Sequence, residues 1–152
     1  MIIILVMQNL SAKADLAKVA FTRGAGAFGV CRIESLRESF HIEIQGLSRL
    51  LPYAISIGVP LAETALETII DRPNMIYKAH YRQVNAVLDD IAFALASEII
   101  RLGYRALPIP ASMVLKRYPM IAHLSHREIA FKAGLGWRGR NNLLVNKNYG
   151  SQ

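Results

Sequence analysis

The sequence predicts an α+β fold, and two stretches carry that prediction. From Met75 to Leu102, residues Ile76, His80, Val84, Val87, Leu88, Ile91, Leu95, Ile99 and Leu102 fall three and four apart. That is the period of an amphipathic helix, here a rod of about 42 Å at helical rise. From Tyr53 to Pro60 the branched residues Ile55, Ile57 and Val59 alternate instead. That is the period of a strand with one buried face. One chain thus holds both kinds of element, and the rest can be assigned around them.

Ile2 to Met7 reads as a short strand or a first helical turn. Asn9 to Arg23 reads as a helix capped by Asn9 or Ser11, because a short polar oxygen accepts an orphan backbone N–H there. Leu10, Leu16, Val19 and Ala20 share one face, with Lys13, Asp15 and Lys18 outside. Gly24 stops it, and Ala27 to Ile33 follows as a strand. Glu34 to Arg49 is charged and mixed, a loop with a short helix; His41 has no partner nearby in sequence. Ala62 to Ile70 is a short helix, and 71–74 a loop. Gly103 ends the long helix. Tyr104 to Pro110 is a strand broken by two prolines. Ala111 to Ile121 has no clear period and suits a loop over a pocket.

Length and composition bound the rest. The 152 residues fit one domain, 1–152, with a sizeable core. With 53% hydrophobic and 19% charged residues the chain is not disordered. Neither aliphatic zone reaches the ~18 unbroken apolar residues of a membrane span. An export signal is not expected either: no basic residue precedes the opening run, which is shorter than an apolar signal core of about 7–15 residues. The lone cysteine, Cys31, excludes an internal disulfide and a self-contained cysteine cluster. It fits a reducing, cytoplasmic setting and reads as a small buried side chain rather than a nucleophile. The net charge of +7 favours anionic partners, yet no run of five basic residues marks a nucleic-acid arm.

Two G-x-G-x-x-G strings occur, Gly24 to Gly29 and Gly134 to Gly139. A dinucleotide loop needs a strand before and a helix after, so that phosphate meets a helix N-terminus. Here the order is helix then strand in both cases, and the dinucleotide reading fails. The second string still concentrates chemistry. Gly134, Gly136 and Gly139 permit positive backbone angles and expose N–H groups. Arg140 with Arg138 adds charge-assisted donors, Asn141 and Asn142 donate and accept, and Leu135 and Trp137 add apolar surface. Such a set suits a planar or phosphate-bearing ligand. A tight structural turn around a core tryptophan fits the same residues equally well.

Upstream of it, Ser125 and Glu128 form a capping-box pattern before Ile129, Ala130 and Ala133. His123 and His126 stand three apart without a well-placed third ligand, so no metal site is expected. His126 reads as a proton donor at the mouth of a site, since its ordinary pKa is near neutral. Tyr77, His80 and Tyr81 read as ordinary packing and surface.

The stretch Arg127-Glu-Ile-Ala, Ala133-Gly-Leu-Gly-Trp137, Gly139-Arg-Asn141, Leu143-Leu144 and Asn148-Tyr-Gly-Ser151 resembles the epoxyqueuosine reductase family and its uncharacterised iron–sulfur relatives. Fainter similarity covers Leu51-Pro52, Ser56-Ile57 and Gly103-Tyr104. Pro108-Ile-Pro-Ala-Ser112 and His123-Leu-Ser-His126 look closer to the uncharacterised relatives. The resemblance implies a small mixed or antiparallel sheet with packed helices, similar to nitroreductase-like corrinoid-binding domains. It implies a cobalamin cofactor lying against Gly134 to Asn142. It also implies electrons from two 4Fe-4S clusters in a downstream ferredoxin-like region; queuosine members act on a tRNA-borne epoxide.

Two departures limit what transfers. Cys31 alone cannot hold a cluster, so the chain reads as the corrinoid-binding portion, inactive without an electron donor or cluster domain. The family's acidic proton donor falls in Leu107 to Ser112, which has no carboxylate; His126 is the expected substitute. A flavin-binding nitroreductase-like module and a non-catalytic tRNA- or protein-binding domain are the competing readings. An unpaired last strand would favour a homodimer.

Overall fold

The computed structural model describes residues 2–6, 13–113, 122–140 and 143–151, with 2–6 and 151 as backbone. Its elements run β1 (Ile2–Val6), α1 (Lys13–Thr22), β2 (Ala27–Arg32), a 3-10 helix (Glu34–Ser39), α2 (Ile42–Ser48) and β3 (Tyr53–Gly58). Then come α3 (Glu63–Glu67), α4 (Met75–Arg101), β4 (Ala106–Ile109), α5 (His126–Lys132), β5 (Trp137–Arg138), β6 (Leu144–Asn146) and β7 (Gly150–Ser151). The α+β reading holds. The caps expected at Asn9 and Ser11, and the loop expected to cover a pocket from residue 114 to 121, lie outside the described residues.

Four strands form an antiparallel sheet in the order β2-β3-β1-β4. The opening aliphatic run is thus an inner strand, pairing Ile2 with Ile57 on one side and Ile3 with Ile109 on the other. A second, three-stranded antiparallel sheet, β5-β6-β7, follows α5.

β3 corrects one expectation. The alternation of Ile55 and Ile57 suggested one buried face, but Ala54, Ile55, Ser56 and Ile57 are all fully buried. The reason is packing on both sides of the sheet. Ile55 and Ile57 meet α1 and α4 through Leu16, Ala20, Leu88, Ile91 and Leu95. Ala54 meets Ile33, Phe40, Ile109 and Ile129 on the opposite side. Small Ala54 and Ser56 occupy the positions that point toward α5, and so read as polar or neutral in a binary pattern.

α4 spans 27 residues, and Asn74 caps it by accepting from the Tyr77 N–H at 2.9 Å. Its core stripe is Val84, Leu88, Ile91, Ala92, Leu95, Ala96 and Ile99. The first turns run past the core, leaving Ile76 59% exposed. This overhang forms one side of the cavity described below. Among the described residues no helix is long and apolar enough to cross a membrane.

Candidate functional site

A cavity of about 460 Å3 opens where the ends of β2 and β3 meet the first half of α4 and the segment after α5. Gly58 to Leu61 and Leu66 form one wall; Tyr77, Tyr81, Val84 and Asn85 of α4 form the next. His126, Arg127, Leu135, Leu143, Leu144, Asn146 and Tyr149 close it from the C-terminal side. The volume lies in the range of small-ligand sites, and the mix of apolar wall with a few polar groups is what such sites use to hold and orient a guest.

The C-terminal wall is built by local chemistry that the sequence announces. Ser125 Oγ accepts from the Glu128 N–H at 3.3 Å and starts α5. The Glu128 carboxylate, however, pairs with Arg138 instead of reaching back to the cap. α5 ends at Gly134, whose φ of 76° belongs to the left-handed region. There the Leu135 N–H bonds to the Ala130 carbonyl at 3.0 Å, and the side chains of Leu135 and Ala130 pack together with Leu144. Gly136 lies against the β6 backbone: a Cβ there would collide with the Val145 carbonyl oxygen and sit 2.9 Å from its carbon. The Gly139 N–H closes the β5–β6 turn on the Leu143 carbonyl at 2.8 Å.

The predicted binding loop therefore divides. Leu135 lines the cavity. Gly134, Gly136 and Gly139 shape the turn that puts it there, and the Gly134, Leu135 and Gly139 N–H groups are bonded within the chain. Trp137 is 52% exposed and pairs with Val145 across β5 and β6, so it is not a core tryptophan. Arg140 is exposed. Asn141 and Asn142 lie outside the described residues. Asn146, read only as the end of a strand, ties the wall together: its Nδ2 donates to the Leu135 carbonyl at 2.6 Å, and its Oδ1 accepts from Asn148 and Tyr149 N–H.

The first glycine string serves the same wall. Gly24, at φ 100°, ends α1. A Cβ on Gly26 would come within 2.7 Å of the Tyr149 hydroxyl, and one on Gly29 within 2.6 Å of the Ala133 carbonyl oxygen. β2 and the residue before it thus accept the α5–β7 segment at close range because they have no side chains at those two points. The Tyr149 hydroxyl donates to the Gly26 carbonyl at 3.1 Å and fixes that approach.

His126 lines the cavity from the first turn of α5. Burial pushes its imidazole down to about 4, while its hydrogen bond to the Pro110 carbonyl pulls the other way. Nδ1 is buried without a hydrogen-bond partner among the described residues. At neutral pH the ring is uncharged.

Sequence reasoning assigned Tyr77 and Tyr81 to ordinary packing, yet both line the cavity, with ring centroids 6.2 Å apart. Their spacing of four on α4 was the available signal. His80, between them, accepts from the Ala62 N–H at 2.8 Å and pins the loop that forms the opposite wall. Cys31, expected to be buried, is half-buried: it donates to the Ile129 carbonyl at 3.6 Å, and burial pushes its thiol up while Lys132 opposes. His41 corrects an expectation, since it does have partners: Glu43 at the start of α2, and His123, which is brought in from 82 residues away.

The fold and cavity together define the class: an α+β protein with a cavity at one end of its larger sheet. No family model matches the chain, and no solved structure matches it. The chain is similar to the epoxyqueuosine reductase of Shewanella oneidensis, at 25% identity over 131 residues. That similarity covers 75% of this chain and 32% of the relative, so the chain spans about a third of the length of the curated protein it matches.

Proposed function

We propose that this chain is the cofactor-facing portion of an oxidoreductase resembling epoxyqueuosine reductase, and that its cavity receives part of a corrinoid. The observation that carries the reading is the overlap between the resemblance and the cavity. Leu135, Leu143, Leu144 and Tyr149, all in the stretch that resembles the family, form its C-terminal wall.

The residues present fit such a group. Val59, Leu61, Leu135 and Leu144 offer an apolar face for a flat ring system, and burying it there stabilises binding by about 25 cal/mol per Å2 of apolar surface. His126 and Asn85 would take its amide edges. Gly134 to Gly139 position the wall. When bound, a corrinoid supplies a metal centre that delivers electrons to a substrate. The protein's own residues exclude water and orient, and His126 stays neutral.

Electrons must come from outside the chain. Cys31 is the one cysteine in 152 residues, and its thiol is packed against α5. An iron–sulfur donor, as a separate protein or a further domain, is therefore part of the proposal, and the chain by itself is expected to turn nothing over. The net charge of +7 suits an anionic substrate such as tRNA.

The test is a titration of the purified chain with cobalamin, followed by visible absorption. The expected result is a spectral shift that saturates at one equivalent. No shift at saturating cobalamin, with circular dichroism showing an intact fold, overturns the reading. A preparation that instead arrives yellow with bound flavin would replace the corrinoid by a flavin in the same cavity.

A further inference from the structure

We propose that His41, Glu43 and His123 form a binding site for a divalent transition-metal ion of the zinc class. The three are brought together by the fold: His41 caps α2, Glu43 is in its first turn, and His123 lies on the segment that enters α5. One donor atom from each of the three lies within 4.8 Å of the others. Glu43 Oε2 is 2.6 Å from His123 Nε2 and 3.9 Å from His41 Nδ1. Two imidazoles and a carboxylate are a donor set that zinc takes in three-ligand sites, with a fourth position left for water.

The helix-cap contact does not block an ion: the Glu43 N–H reaches His41 Nδ1 only at 3.4 Å, and an ion taking that nitrogen's one lone pair displaces it. The cluster is also prepared: the His41 N–H bonds to the His123 carbonyl at 2.8 Å, and the rings meet edge to face at 5.8 Å. The His123 side chain is only 11% exposed, whereas that of Glu43 is 57% exposed, so the site is walled on one side and reachable from the other.

Binding would move one proton. His123 Nε2, now hydrogen-bonded to Glu43, gives up its proton and coordinates, and the proton passes to Nδ1 or to solvent. No redox change is involved. The ion would fasten α2 to the segment carrying His126, three residues on, without depending on the cavity's ligand.

The experiment is titration of the untagged, chelator-stripped chain with Co2+, read by visible absorption, and with Zn2+, read by calorimetry. The expected result is one equivalent bound with tetrahedral-type cobalt bands that Zn2+ abolishes. Glu43→Gln and His123→Asn should each weaken binding more than about tenfold, the lower bound seen for lesser, outer-sphere losses. His41→Asn keeps the helix cap while removing a ligand, and serves if either other variant fails to fold. His80→Gln controls for adventitious histidine binding and should bind as the parent does. No saturable equivalent in the parent chain, or equal affinity across the ligand variants, overturns the site and leaves a His–Glu hydrogen bond.

Discussion

At the scale of single residues, His126 gives the sharpest consequence of the fold. Its ring is held neutral by burial, with a pKa near 4 against 6.5 when free. Below pH 6.5 the unfolded chain takes up a proton that the native ring refuses until about pH 4. The contribution is therefore complete above pH 6.5 and is lost as pH falls toward 4, by roughly 3 kcal/mol in total. Urea midpoints at neutral pH and near pH 4, with a chelator present, should fall further for the parent chain than for His126→Gln. Equal falls would show that His126 is not buried neutral. The same residue shows how far sequence reaches. Histidine at the start of a helix announced a site, and it does line the cavity, but the character of its ring depends on packing from Pro110 and neighbours that no local pattern encodes.

At the scale of elements, α4 behaves as two helices in one. Its C-terminal two-thirds bury an unbroken stripe, while its first turns overhang the core and border the cavity. Leu88→Ala should cost about 2–5 kcal/mol, because the side chain is fully buried. Ile76→Ala should cost within about 0.5 kcal/mol, as at ordinary surface sites. Chemical denaturation of the two variants checks this, and similar losses would place the overhang in the core. Periodicity found this helix almost to the residue, since its spacing holds from Ile76 to Ile99 irrespective of burial. Periodicity could not find where burial stops, because that depends on the length of the sheet beneath. The second sheet was legible only as a turn and a strand. β5 and β7 are two residues each and carry no period.

At the scale of the whole molecule, the chain is a sheet with cores on both faces and a cavity at one end. The two glycine strings, 24–29 and 134–139, share one pattern, and in both the order of elements excludes a dinucleotide loop. They turn out to be two halves of one contact: Gly26 and Gly29 leave space at the start of β2 and within it, and Gly134 and Gly136 fold the opposing wall. Their joint role is invisible in either string alone. The cluster of His41, Glu43 and His123 is hidden for the same reason, since 80 residues separate its parts. What was legible was the wall that also carries the family resemblance, through Leu135, Leu143 and Leu144.

The central claim is that this cavity, and not an exposed loop, holds the cofactor. It is tested most directly by the dissociation constant of cobalamin for the parent chain and for Leu61→Trp, which places an indole in the opposite wall. The account predicts saturable binding by the parent and at least about tenfold weaker binding by the variant, a loss of about 1.4 kcal/mol, with circular dichroism unchanged. Equal affinity in the two proteins, or no binding by the parent, would contradict it.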